Sequence, residues 1–198
     1  MIEMHKQVHP KSLYWGSTVI LLSTIDNTNS TNITPISSSW SLSSNIVIGL
    51  SLSSKAIENI EYCPEMVLNI ASDDLSKKIE SIAKYTGRNP VPPEKLKSEF
   101  NYCNDKFSLG EFTSQVSHTV RPLRIQECPL QVECLVENII KRDSHAIVEL
   151  RVNHVHADVS LLKDNDIIDA DLWRPLIYNF RSYHGITESI GRNFKFDN

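Results

Sequence analysis

The sequence predicts a mainly β fold, a closed antiparallel barrel with helices outside it, and three observations carry that prediction. Short runs of β-branched and leucine residues recur between polar turns through the first half of the chain. Two long alternating segments, Leu130–Glu137 and Ala146–His156, flank a short polar turn at Lys141–Ser144. Helical periodicity is confined to brief stretches between strand-like segments. Hairpins and short crossings can link most of these strands, and the product of such links is a closed antiparallel sheet.

The elements follow in order. Thr18–Ile25 reads as a strand, bounded by the turn-prone run Asp26–Asn32. A second runs from Ile33 through Trp40, where Pro35 demands an edge or a bulge because it cannot donate to a ladder. In Ile46–Leu52, Ile46, Ile48, Leu50 and Leu52 share one side. Ser54 is placed to cap a short helix through about Ile60, and Met66–Ala71 forms the next strand. A second helix starts at Asp73 or Asp74 and ends before Gly87, with Leu75, Ile79, Ile82 and Ala83 as its buried stripe. Pro90, Pro92 and Pro93 force a non-helical connection, after which Glu94–Phe100 gives one or two helical turns. In the terminal hairpin, Leu130, Val132, Cys134 and Val136 alternate with Gln131, Glu133, Leu135 and Glu137. No internal repeat and no composition shift divides the chain.

Composition narrows the function classes. The 198 residues carry a net charge of −4, with 20 basic and 24 acidic residues, and no Lys/Arg cluster argues for a nucleic-acid partner. A chain of this length buries roughly 70% of its unfolded surface and needs no disulfide framework. Cys63, Cys103, Cys128 and Cys134 match neither a zinc spacing nor a CxxC motif, so they read as reduced thiols. Met1–Ser12 lacks the apolar core of a signal peptide, and the apolar runs Val19–Leu22 and Ile46–Leu50 fall far short of the ~20 residues of a membrane helix. The sequons at Asn29 and Asn32 are coincidental in that context. These features predict a soluble cytoplasmic chain with no membrane partner.

Two segments carry candidate chemistry. In Ser51–Ile60 a strand ends in hydroxyls and a helix begins at once; free N–H groups at that helix start, Ser53, Ser54 and the charge of Lys55 can hold a phosphate. Ser37, Ser38 and Ser39 on the earlier strand let a planar ligand approach the backbone, and Trp40 can cover an apolar face. Taken singly, each has a plainer reading, a helix cap for Ser54 and a solvated edge with one core tryptophan for Ser37–Trp40. His154 and His156 lie two apart and share a strand face. With His118 or His184 they can form a metal site, but no spacing requires one, and the reading adopted is an ordinary hydrogen-bonded histidine with no metal. No GxGxxG fingerprint occurs, which argues against a Rossmann NAD domain.

Together these segments resemble the flavin reductase-like FMN-binding split barrels, antiparallel barrels of Greek-key type. Asn32-Ile33-Thr34-Pro35 running into Ser37-Ser38-Ser39-Trp40 resembles that family's flavin-lining strand. Ser54-Lys55-Ala56-Ile57-Glu58-Asn59-Ile60 resembles its phosphate-holding helix start. Further ordered matches are Cys63–Asn69, Thr86–Pro92, Asp105-Lys106-Phe107, Glu127–Leu130 with Glu133, Val155–Asp158 and Trp173–Ile177. The resemblance spans 15–186, which leaves 1–14 as an N-terminal extension and 187–198 as a tail. It departs at Ala56 and Ile57, where hydroxyl residues are usual, so one or two phosphate contacts are expected to be missing.

The resemblance implies an NAD(P)H-dependent flavin reductase that passes hydride from NADH or NADPH to FMN. Its cofactor-binding residues would be Ser37, Ser38, Ser39, Trp40, Ser53, Ser54, Lys55, Asn59 and His156. His184 is expected near the flavin ring or the nicotinamide. No protein nucleophile or acid/base pair is assigned, since the flavin carries the chemistry. A homodimer with FMN near the interface and a partner monooxygenase are also implied. The alternatives are an FMN-binding electron carrier without efficient reductase activity, and a flavin-less barrel for another ligand.

Overall fold

The computed structural model describes residues 4–163 and 166–191. Strands β1 (Trp15–Thr18), β2 (Ile20–Ile25), β3 (Thr31–Ile36), β4 (Ser39–Leu42) and β5 (Asn45–Ser51) precede helix α1 (Lys55–Tyr62). Strand β6 (Glu65–Ile70) leads through a 3₁₀ turn at Asp73–Leu75 into α2 (Ser76–Ala83). Short elements follow: β7 (Tyr85–Thr86), α3 (Pro93–Leu96), β8 (Asn101–Tyr102), α4 (Lys106–Leu109), β9 (Ser114–Gln115) and β10 (Arg124–Ile125). The long hairpin β11 (Leu130–Lys141) and β12 (His145–Ala157) comes next. Four short strands end the described chain: β13 (Leu162–Lys163), β14 (Ile167–Ile168), β15 (Ile177–Asn179) and β16 (Ser182–His184).

Seven strands form one antiparallel sheet in the order β3-β2-β6-β11-β12-β5-β4. Its two edges are successive pieces of one segment. β3 pairs with β2, β4 pairs with β5, and Ser37 and Ser38 carry the chain from one partner to the other. Gly49 N donates to Ser38 O at 2.8 Å across this junction. The sheet therefore curls into the mainly β split barrel that the sequence predicts, and Pro35 sits at its edge, on the strand paired only with β2.

Alternate residues of a strand face opposite sides, and β2 is buried on both. Ile20 and Leu22 join Ile48, Leu50, Met66, Leu68, Val148 and Leu150 inside the barrel. Val19, Leu21 and Ile33 pack instead with Leu75, Ile79 and Ile82 of the α2 region. Helix α1 contributes Ala56, Ile57 and Ile60 to the interior cluster. Its polar Asn59 bonds to β2, Nδ2 donating to Thr24 Oγ1 at 3.0 Å. Asn69 is a second buried tie: Nδ2 donates to Leu21 O at 2.8 Å and to Ser23 Oγ at 3.0 Å, and Oδ1 accepts from Ile125 N at 2.8 Å.

Several boundaries differ from the sequence reading. The strand expected over 18–25 breaks at Val19, whose N–H turns to Leu176 O at 2.8 Å while its carbonyl accepts from Ala71 N at 3.1 Å. The segment before the break pairs with β15. The second helix opens as a 3₁₀ turn and stops at Ala83, since Tyr85–Thr86 pairs parallel with β8. Irregularities at Glu133/Cys134 and Val136/Asn138 interrupt the β11–β12 register. Tyr14, within the expected extension, accepts from Phe180 N through its carbonyl at 2.7 Å. Residues 1–3 of that extension and 192–198 of the expected tail lie outside the described residues.

Candidate functional site

Ser54 is the N-cap of α1, and its Oγ accepts from Ile57 N at 3.2 Å. The first N–H groups of a helix have no intrahelical acceptor and carry partial positive charge. Lys55, one residue on, pairs with Glu58 on the same helix. Arg88 reaches the same carboxylate, Nε lying 3.0 Å from Glu58 Oε2, while its Nη1 donates to Leu52 O at 3.0 Å. Burial pushes the Glu58 carboxyl up, but the Lys55 and Arg88 hydrogen bonds outweigh it and hold the group below the usual range.

The helix start opens onto a cavity of about 320 Å³ whose lining includes Thr34, Ser54, Lys55, Thr86, Lys95 and Lys106. Lys106 is only 3% exposed, and its Nζ donates to Ile33 O at 2.7 Å. Burial, then the nearby Lys95 charge, pushes the Lys106 ammonium down to about 8. Lys95 is likewise lowered, by burial and then by Arg88, and its Nζ donates to Thr86 Oγ1 at 3.3 Å. Among the described residues no carboxylate lines this chamber, although Glu58 pairs with Lys55. The charges of Lys95 and Lys106, two threonine hydroxyls and a helix N-terminus border one small space that suits an anion.

A wider cavity of about 710 Å³ shares Pro35, Ile36, Gly49, Leu50, Ser51 and Ala83 with the first. Ser37 and Ser38 line it on one side and Tyr14, Tyr178 and Tyr183 on another. Tyr178 stacks edge-on with Tyr14 at 5.4 Å and tilts against Tyr183 at 5.8 Å, so the aromatic wall is braced from within. Both volumes fall within the roughly 300–1,000 Å³ of small-molecule sites. The paired chambers suit an elongated ligand with an anionic end and a flat, partly apolar body.

The nine residues singled out from the sequence separate into groups. Ser54 and Lys55 line the cationic chamber; Ser37 and Ser38 line the wider one. Ser53 is buried behind them, its Oγ 2.9 Å from Ser51 Oγ. Ser39 and Trp40 line an outer depression of about 450 Å³ with Leu13, Trp15 and Val47, which shares Tyr14, Ser37, Ser38 and Gly49 with the wider chamber, and Trp40 is 60% exposed. Asn59 is turned into the helix–β2 contact, with Oδ1 buried and unpartnered among the described residues. His156 lies near the far end of β12 from His145, which itself lines the wider chamber. There His156 clusters with His118 and His154. His184 is on β16 and lines neither chamber, although its neighbour Tyr183 does. Ala56 and Ile57, where the resemblance departs, both belong to the interior core cluster.

The sequence reading did not select Lys95, Lys106, Thr86, Tyr178 or Tyr183. Lys95 and Thr86 come together because β7 and β8 pair in parallel and bring both ends of the proline-rich loop to α1. In the sequence, Thr86–Pro92 and Asp105-Lys106-Phe107 match the resemblance as segments only, without a role for their side chains.

Comparison with known proteins then bears on this geometry. The sequence profile described as "Flavin reductase like domain" matches residues 14–187. The uncharacterized protein YdfE of Bacillus subtilis (strain 168) is 40% identical over 193 residues, covering 96% of this chain and 93% of that protein. The flavoredoxin of Desulfovibrio vulgaris (Miyazaki F) superposes with a TM-score of 0.80 at 19% identity, covering 97% of this chain and 98% of the other. An FMN-binding protein from Thermus thermophilus, solved with 1-cyclohex-2-enone, gives 0.72 at 13% identity, covering 98% and 100%. All four of this chain's cysteines are free, and no described helix is long and apolar enough to cross a membrane.

Proposed function

This chain belongs to the flavin reductase-like domain family, and on that premise we propose that it binds FMN and transfers hydride to it from NADH or NADPH. The observation that carries the reading is the convergence of Lys55, Lys95 and Lys106 on the Ser54-capped helix start, in a chamber with no carboxylate among its described lining residues. A donor-only, cationic set of this kind fits a phosphate monoester. FMN, when bound, supplies an isoalloxazine ring that accepts hydride and passes electrons on.

The chain's own residues bind, orient and shield. The lysines neutralise the phosphate, each charge-assisted bond contributing roughly 1.5–3 kcal/mol. Gly49 lets β5 pass close to Ser38, since a Cβ there would lie 3.1 Å from Ser38 Cβ, and both residues line the wider chamber. Tyr178 and Tyr183 would wall the ring of a bound flavin, which would accept hydride from the nicotinamide. An exposed apolar patch supports a homodimer: Leu13, Trp15 and Trp40 are 65%, 73% and 60% exposed around one depression. A partner monooxygenase is the natural destination for reduced flavin released from this site.

The test is direct. The visible spectrum of the purified protein is recorded with added FMN, then under anaerobic conditions with NADH or NADPH. Tight FMN binding followed by rapid bleaching is expected. Failure to bind FMN refutes the reading, and binding without bleaching turns it into that of an electron carrier.

A further inference from the structure

The strongest feature outside the cavity is a histidine cluster at the end of the long hairpin. His154 and His156 project from one face of β12, and His118 comes from the connection between β9 and β10. Their ring centroids lie 5.3 Å (His118–His154), 4.7 Å (His118–His156) and 4.5 Å (His154–His156) apart. One nitrogen from each can be chosen so that all three lie within 4.8 Å of one another.

Beneath them sits Glu133, fully buried on β11 opposite His154. Its carboxylate accepts from His118 N at 2.8 Å, Thr119 N at 2.6 Å, Thr119 Oγ1 at 2.7 Å and His156 Nε2 at 2.8 Å. A carboxylate only accepts, so His156 donates through Nε2 and its Nδ1 lone pair is free for another partner. The same anion thereby fixes the tautomer of one histidine and the backbone of a second. Carboxylate-backed imidazoles of this kind are the usual second layer of a transition-metal site.

We infer that His118, His154 and His156, supported by Glu133, form a binding site for a divalent transition-metal ion such as Zn²⁺ or Co²⁺. Neutral imidazole is the favoured ligand type for these ions. Zn–N bonds of roughly 2.0–2.1 Å in a tetrahedron separate nitrogens by about 3.4 Å, and binding through His156 Nδ1 requires the rings to close to that spacing. His118 and His154 are exposed and can rotate to close that gap, while His156 is held. Three protein nitrogens leave one position for water or an anion. His156 also borders a polar cavity of about 310 Å³ with Arg124 and Gln131, and none of its lining residues belongs to the two chambers assigned to FMN.

The experiment uses untagged full-length protein, stripped with chelator and titrated with Co²⁺ and Zn²⁺ by absorption spectroscopy and calorimetry. One Co²⁺ per chain is expected, with visible d–d bands of a low-coordinate site, displaced by Zn²⁺. His118→Ala and His154→Ala alter exposed rings and are expected to leave the fold intact while weakening affinity at least tenfold each. Glu133→Gln is expected to weaken it about 10- to 100-fold. A His5→Ala/His9→Ala double variant tests for adventitious binding by the N-terminal histidines and is expected to match the parent. The inference is overturned if the parent binds no Co²⁺, or if affinity survives both single histidine substitutions.

Discussion

Replacing Lys106 by methionine should make the ligand-free protein more stable and a worse FMN binder at the same time. The ammonium is 3% exposed, and its folded pKa of about 8 stands against an ordinary 10.5. That depression corresponds to roughly 3 kcal/mol of cost for keeping the buried group charged. Because the folded value is depressed, that cost is full below pH 8, falls as pH rises, and vanishes above 10.5. Methionine removes it but forfeits the bond to Ile33 O, worth about 1 kcal/mol, so the net gain at pH 7 is about 2 kcal/mol. In a chain of this size that raises the melting temperature by about 4–8 °C. At pH 9.5 only about 1 kcal/mol of the cost remains, so the advantage should shrink to within about 1–2 °C of the parent. FMN affinity should fall about 10- to 150-fold, the loss of one charge-assisted phosphate contact. Thermal melts without ligand and fluorescence titration with FMN measure both. A variant that melts below the parent at pH 7 and binds FMN equally well refutes the reasoning.

Three further outcomes follow from the same geometry. Ser54→Ala removes the α1 cap and should cost about 1 kcal/mol, seen as a drop of about 2–4 °C in melting temperature. Gly87→Ala places a Cβ 2.5 Å from Asn32 Oδ1 and 3.2 Å from Lys55 Cγ, so it should destabilise by about 1–3 kcal/mol in denaturant titration and weaken FMN binding by displacing Lys55. Asn69→Ala strands the buried N–H of Ile125 and unties β2, and should cost about 2–4 kcal/mol while leaving FMN affinity unchanged under conditions where the variant is folded.

Local patterns in the sequence revealed those elements whose contacts are local. The alternation of Ile46, Ile48 and Leu50 and the stripe Leu75, Ile79, Ile82 place these side chains in the two cores where they are found. The Ser54–Lys55 helix start is also readable, because a cap and the charge behind it are neighbours in sequence. Lys95 and Lys106 were not readable as site residues. They reach the chamber through a parallel two-residue pairing and a buried bond to Ile33 O, and neither leaves a periodic trace. A net charge of −4 further hides the local excess of cations. Trp40 lies beyond the handover from β2 to β5 at Ser37–Ser38 and lines the outer depression, which shares Ser37 and Ser38 with the wider chamber.

The rooting of helix α1 in the barrel has one more consequence. Ala56, Ile57 and Ile60 belong to the same interior cluster as the strands, so this helix cannot swing aside as a gate. The amide hydrogens of α1 therefore stay protected until the whole domain opens. Hydrogen–deuterium exchange there will consequently track global unfolding, and a bound flavin at free concentration [L] will slow it by a factor of 1 + [L]/Kd.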